Sequence, residues 1–239
     1  MVTDVKKLKV KIFADGADLP TMLEMSNKPF IQGLTTNPTL MRKAGISDYK
    51  KFAREVLELI QSKPISFEVF SDDFEEMVEQ AMEISSWGEN VNVKIPITNS
   101  KGDSTTQVIK ELSSRGVSLN ITAILTTKQV KNVIEVLDEN SKAFISVFAG
   151  RIADTGRDPI PLMAEALEIM REKPRSELIW ASPRELLNVI QADAIGCHII
   201  TATSDILKKL DIIGKDLSQY SLETVKMFRD DALASGYSI

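Results

Sequence analysis

A lysine interrupts the most strand-like run of the chain. In VNVKIPIT, residues 91–98, Val91, Val93, Ile95 and Ile97 are apolar and mostly β-branched, which reads as a buried strand. Lys94 stands in its middle. Burial disfavours the charged ammonium, so such a lysine needs a counter-charge, a route to solvent, or a use as a neutral amine. A neutral amine can attack a carbonyl and form a Schiff base. An unperturbed lysine, with a pKa of about 10.4, is almost wholly protonated at neutral pH. An apolar pocket around Lys94 would raise the nucleophilic fraction. The plainer explanation is a lysine at a strand end reaching water.

Polar residues recur within or just after other apolar runs: Asp15, Thr35, Thr36 and Asn37, Glu68, Asn120 and Thr122, Ser146 and Arg151, Ser182 and Arg184. Singly, each has a structural explanation. Asp15 can cap a turn, Asn37 precedes Pro38 as turn residues do, Glu68 can be salt-bridged, Thr122 fits any strand, and either arginine can be a surface charge. Together they supply acid/base groups, hydroxyl binders and anion binders around one lysine, which is what carbonyl chemistry through an imine requires.

Composition narrows the alternatives. The 239 residues are 43% hydrophobic and 26% charged, with a net charge of -5 and a pI of about 5.2. No basic face for nucleic acid is expected. One cysteine, Cys197, allows no intramolecular disulfide and points to a reducing compartment. No apolar run reaches the ~18 residues of a membrane span, and the N-terminal MVTDVKKLKVKIF lacks a long apolar segment and a cleavage pattern. The reading is a cytoplasmic protein without membrane or nucleic-acid partners. One histidine cannot furnish a zinc aldolase site with several histidine ligands. It is His198, in the run AIGCHIIT, and it reads as a packed or hydrogen-bonded strand residue. No glycine-rich nucleotide loop is present. Neither a metal nor a cofactor is expected.

These residues must be positioned by short strands alternating with helical patterns. Strands are expected in KVKIFAD, FIQGLTT, ISFEVF, VNVKIPIT, VSLNITAIL, AFISVFAG, ELIWAS and AIGCHIITAT. Helices are expected in DLPTMLEMSN, over residues 48–61, from the N-cap candidate Asp72 to Trp87, beyond Gly102, over 128–140, from near Asp158 with Pro159 in its first turn, in PRELLNVIQA, in the short SDILKKL, and over 217–234. Eight β-then-α units without a linker imply a single α/β domain over residues 1–239: a (β/α)8 TIM barrel with an extra C-terminal helix at about 217–234. An open doubly wound sheet is the alternative. In a barrel of this kind chemistry sits at the C-terminal ends of the strands, where the polar residues above fall.

The same segments resemble the transaldolase family, including its small members and the related fructose-6-phosphate aldolases. GLTTNPTL resembles the strand-two signature, VNVKIPIT the Schiff-base lysine strand, LNITAILTTKQ the strand-five motif, ISVFAGRIADTGRD the strand-six motif, and ASPRELLNVIQADAIGCHIITAT the strand-seven and strand-eight region. The chain departs at Val147, where the family usually has proline, and at Pro183, where an aromatic usually precedes the basic residue. Transaldolases typically pair a strand-three glutamate with a strand-six phenylalanine; the aldolases pair glutamine with tyrosine. Glu68 and Phe148 match the former.

The resemblance implies transfer of a dihydroxyacetone unit from a ketose phosphate, such as fructose 6-phosphate or sedoheptulose 7-phosphate, to an aldose phosphate. By the same resemblance Lys94 is the nucleophile, Glu68 with Thr122 handles a water, and Asp15 is the base for the C4 hydroxyl. Asn37, Asn120 and Ser146 bind hydroxyls, with Thr35 and Phe148 beside them. Arg151, Ser182 and Arg184 grip the phosphate. A homo-oligomer, pentamer or decamer, is implied as well. The alternatives are an aldolase of the same fold, a transaldolase-like enzyme for a sulfonated ketose, and a barrel that binds phosphosugars without turning them over.

Overall fold

A computed structural model describes residues 4–237. Eight parallel strands close into a barrel, β1 pairing with both β2 and β8, so the open-sheet alternative is excluded. The strands are β1 (Lys11–Asp15), β2 (Ile31–Thr35), β3 (Ile65–Glu68), β4 (Val91–Pro96), β5 (Leu119–Ile124), β6 (Ala143–Val147), β7 (Ser176–Trp180) and β8 (Ile199–Thr203). Between and after them run α1 (Leu19–Ser26), α2 (Pro38–Lys43), α3 (Tyr49–Leu59), α4 (Phe74–Ser85), α5 (Thr106–Ser114), α6 (Thr127–Val136), α7 (Ala149–Ala153), α8 (Ile160–Met170), α9 (Leu187–Ala194), α10 (Ser204–Leu207) and α11 (Leu217–Ala234).

Alternation along the strands divides the molecule into two chemistries. Successive side chains point to opposite faces of a strand. One face carries Ile12, Leu34, Phe67, Val93, Ile95, Ile121, Val147, Trp180 and Ile200, which join the helices in one continuous apolar core. The other face points into the barrel. There Phe13, Ile179, Ala181 and Ile199, with Phe144 and Phe148 against them, form a small separate apolar cluster. The rest of the interior is polar.

Several element boundaries differ from those read in the sequence, each because a local hydrogen bond or backbone constraint intervenes. NPTL opens an additional helix, α2, whose N-cap is Asn37. The N-cap of α4 is Asp73, since Asp72 instead accepts hydrogen bonds from the Ser100 backbone and hydroxyl. Helix α6 stops at Val136, short of Asn140. The end of AFISVFAG is helical: β6 stops at Val147, and Ala149 and Gly150 begin α7. Helix α8 begins at Ile160, after Pro159 rather than through it. In PRELLNVIQA the helix waits until Leu187, because the Arg184 and Glu185 N–H groups bond the Asn188 side chain instead. The AIG of AIGCHIITAT leaves α9 through Gly196, whose φ of +76° is a glycine conformation. His198 then accepts the Leu178 N–H at Nδ1, 2.9 Å away.

Helix α11 matches its expected span and buries none of its residues; Val225, Phe228 and Leu233 are well exposed. No described helix is long and apolar enough to cross a membrane.

The floor of the barrel depends on one glycine. Phe13 fills the interior beside β2, and a Cβ on Gly33 would lie 2.5–2.7 Å from three carbons of its ring. The ring is fully buried and has little room to retreat. Gly33→Ala is therefore expected to destabilise the protein by about 1–3 kcal/mol in urea titration, and Phe13→Leu in the same background to recover part of that loss. An unchanged unfolding midpoint for Gly33→Ala would show that the interior yields to the methyl group.

Candidate active site

The polar half of the barrel interior opens into a cavity of about 640 Å³ at the C-terminal ends of the strands. Asp15, Thr35, Asn37, Glu68, Lys94, Asn120, Thr122, Ser146, Phe148, Arg151, Ser182 and Arg184 all line it. The residues singled out from the sequence, all but Thr36, thus meet at one place, from β1 to β6 and from the segments after β2, β6 and β7.

Lys94 lies at its centre. Strand register sets Glu68 of β3 and Asn120 of β5 directly beside it. Its Nζ is 3.0 Å from Glu68 Oε2 and donates to the Thr36 carbonyl at 2.8 Å. Of the options open to a buried lysine, a counter-charge is the one present. The apolar residues on either side of Lys94 in sequence face the helices, not the cavity, so the lysine is buried among polar groups. Its counter-charge is Glu68.

Asp15 ends β1 opposite this pair. Thr35 donates to Asp15 Oδ1 at 2.7 Å and lies 2.6 Å from the Thr201 hydroxyl. Because the Thr35 proton goes to Asp15, Thr201 is the donor to Thr35. Desolvation in the barrel mouth raises the Asp15 carboxyl above its ordinary range; the Lys94 charge and the Thr35 hydrogen bond oppose that shift, and the Glu68 charge adds to it.

On the far side of Lys94, Asn120 is fully buried and relays between strands. It donates to Ser66 Oγ at 3.0 Å and accepts from Ser146 at 2.6 Å. Thr122 Oγ1 is buried with no hydrogen-bond partner among the described residues. A buried hydroxyl without a partner is costly, and this one lines the cavity, so a bound hydroxyl or water would satisfy it. The next residue, Ala123, has a φ of +61° where the β5–β6 register shifts. That left-handed conformation in a residue with a Cβ costs on the order of 1–3 kcal/mol and is the kind of strain that clusters at functional sites. Asn37 also has a structural duty: its Oδ1 caps α2 by accepting the Leu40 N–H, which leaves its amide nitrogen for the cavity.

The end of the cavity beyond β6 and β7 is cationic and irregular. Arg151 lies over the Phe148 ring, 5.6 Å from its centroid. Arg184 is bound through Nε and Nη2 by both oxygens of Asp154, at 2.9 and 2.5 Å. That pairing holds the Asp154 carboxyl below the usual carboxylate range and raises the guanidinium. One edge of the Arg184 fork is thus already occupied. Ser182 has a φ of +57°, and its carbonyl packs so close to Gly150 that a Cβ there would lie 1.5 Å from the oxygen. Only glycine fits at the start of α7.

The sequence as a whole matches the family model described as transaldolase/fructose-6-phosphate aldolase, over residues 12–237. The chain belongs to this family. A probable transaldolase of Dehalococcoides mccartyi is 34% identical over 202 residues, covering 84% of this chain and 90% of the relative. A probable transaldolase of Methanococcus maripaludis is 31% identical over 84% of this chain and 89% of its own length. Among solved structures, the aldolase QR15 superposes with a TM-score of 0.56 at 15% identity, over 87% of this chain and 99% of that one, a likeness of fold alone. Membership makes this chain an enzyme of aldolase or transaldolase type.

Sequence reasoning missed two cavity residues of this transaldolase/aldolase family member, Thr201 and Asp205, and also Ser66, which accepts from Asn120 behind the cavity wall. Ser66 looked like one more small residue of a buried strand, and Thr201 like a β-branched strand residue. Alternation from Glu68 and from Thr203 places both on the inner face, and that was the available signal. Asp205, also at the cavity, followed an expected strand end and carried none.

The raised Asp15 carboxyl has a consequence for stability. Above the unfolded carboxylate value near 3.9, the folded state holds the Asp15 proton more tightly than the unfolded chain does. Stability from this group therefore falls as pH rises, until the folded pKa is passed. Asp15→Asn removes that dependence. Urea titrations are expected to find the variant more stable than wild type near neutral pH, with the advantage shrinking as pH is lowered toward about 4. A constant difference across that range would mean that Asp15 is not desolvated.

Proposed function

We propose that the protein is a Schiff-base transaldolase that moves a dihydroxyacetone unit from a ketose phosphate to an aldose phosphate. The observation that carries this reading is the buried Lys94–Glu68 contact at 3.0 Å, with Asp15 in the same cavity. Transfer of a proton from Lys94 to Glu68 leaves an amine free to attack C2 of fructose 6-phosphate. Glu68, with a water held by Thr122, carries protons as the carbinolamine loses water to give the iminium. Asp15 takes the C4 hydroxyl proton, the C3–C4 bond breaks, and its electrons pass to the iminium nitrogen to give an enamine. The upward shift of Asp15 brings this base closer to the working pH, which suits proton abstraction. Because the iminium is the electron sink, the route needs no metal or cofactor.

Asn37, Asn120 and Ser146 suit the hydroxyls of the three-carbon unit, with Thr35 bracing Asp15. Arg151, Arg184 and Ser182 suit a terminal phosphate through charge-assisted hydrogen bonds. Glu68 with Phe148, rather than glutamine with tyrosine, favours transfer to an acceptor over release of free dihydroxyacetone. Phe148 presents an apolar ring and offers no proton donor. The reading includes a cytoplasmic homo-oligomer, pentamer or decamer. The apolar side chains of α11 left uncovered by their own barrel support it, and a monomer in sedimentation would remove it.

Two measurements test the chemistry. Incubation with fructose 6-phosphate and borohydride is expected to leave a reduced adduct on Lys94 alone; an adduct on another lysine, or none during turnover, removes the mechanism. With erythrose 4-phosphate present, sedoheptulose 7-phosphate is expected to form in large excess over free dihydroxyacetone. Release of dihydroxyacetone at the same rate with and without the acceptor would make the protein an aldolase instead.

A further inference from the structure

Strand β3 reaches Glu68 with little support from β2. The two strands pair only at Leu34 with Ile65 and Thr35 with Ser66. The Thr36 N–H still donates to the Ser66 carbonyl at 3.2 Å. In a parallel ladder the next rung would run from the Glu68 N–H to the Thr36 carbonyl. That rung is replaced. The Thr36 carbonyl accepts Lys94 Nζ. The Glu68 N–H donates to the Tyr49 hydroxyl at 2.8 Å, and that hydroxyl donates to the Glu68 carbonyl at 3.0 Å.

We propose that Tyr49 is a positioning residue for the Lys94–Glu68 pair: its hydroxyl takes over the last rung of the β2–β3 ladder, which frees the Thr36 carbonyl to hold Lys94 and fixes the strand end that carries Glu68. The inference rests on the proposed roles of those two residues. One hydroxyl serves both backbone groups because a phenol both donates and accepts. Burial raises the Tyr49 phenol well above its ordinary range, so it stays protonated. The ring is fixed as well. It meets Phe67, Phe70 and Trp87 edge-on, with centroids 6.1, 4.6 and 5.6 Å away. Tyr49 is the first residue of α3, whose N-cap Asp48 accepts the Lys51 N–H. A core filler would need the ring alone; the hydroxyl is spent wholly on Glu68.

The experiment follows borohydride trapping at Lys94 against time in Tyr49→Phe, which keeps the ring and removes the hydroxyl. Imine formation is expected to slow about tenfold, the loss of one hydrogen-bonded clamp. Phe67→Leu, which loosens the same aromatic cluster and leaves the hydroxyl in place, is expected to lower the melting temperature while keeping the imine rate near wild type. In a Glu68→Gln background Tyr49→Phe is expected to cost little more, because residues acting through one group are not additive. A wild-type imine rate in Tyr49→Phe, an equal slowing in Phe67→Leu, or additive losses with Glu68→Gln each overturns the inference. If Glu68→Gln alone leaves imine formation unchanged, the fault lies with the role proposed for Glu68 instead.

Discussion

A lysine and a glutamate share the interior of a closed barrel, and the rest of the structure is arranged around that contact. Taking two charges out of water costs several kcal/mol for each ion, and the attraction between them recovers this only when the geometry is good and the remaining hydrogen-bonding capacity is filled. Here the side chains are 8% and 18% exposed. Adjacent parallel strands hold the two Cα positions in register, and the Thr36 carbonyl takes a further Nζ proton. A pair built this way is poor ballast for folding, since an apolar pair of similar volume often does as well. What it provides is a buried amine and a carboxylate already in contact, the pair on which the proposed mechanism rests.

The cost is tolerable because folding and chemistry use opposite faces of the same strands. The outward face of the barrel and the inward faces of the helices form the large apolar core, so the interior need not stabilise the fold. It keeps only a small cluster around Phe13 as a floor, below the polar layer. Hydrogen bonds then run around that layer from strand to strand, Thr201 to Thr35 to Asp15 on one side and Ser146 to Asn120 to Ser66 on the other. Each side chain is set by a neighbour that is itself set by strand register, which is how a rigid site is held to fractions of an ångström.

The strand count, the closed barrel and α11 were legible in the sequence because each rests on local periodicity. The candidate residues that meet in the cavity were conspicuous too, since a polar residue inside an apolar strand stands out. What could not be read was the direction each one faces relative to its neighbours. Which of its options Lys94 takes could not be read, because sequence adjacency to Val93 and Ile95 does not reveal that those side chains point the other way. Ser66 and Thr201 escaped notice for the converse reason: they are ordinary strand residues until the inner face is known. Tyr49 stands nineteen positions before Glu68 and bonds only its backbone, a contact with no trace in residue type. The Arg184–Asp154 pair likewise joins two turns thirty residues apart.

The two ends of the cavity are built differently. Around Lys94 the strands β3, β4 and β5 keep regular register as far as Thr122, and Lys94 and Glu68 project from it. From the end of β5 onward the backbone has irregular points: Ala123 and Ser182 take left-handed conformations, and Gly150 is pressed against the Ser182 carbonyl. The arginines stand on this irregular part, one over an aromatic ring and one tied to a carboxylate. A change of sequence in the turns after β6 and β7 would therefore move the cationic groups without disturbing the ladder that holds Lys94 against Glu68. Val147 and Pro183, the two departures expected from the resemblance, both fall at this end. On this architecture the Lys94–Glu68 contact is a property of strand register, and the placing of the arginines is a property of the turns.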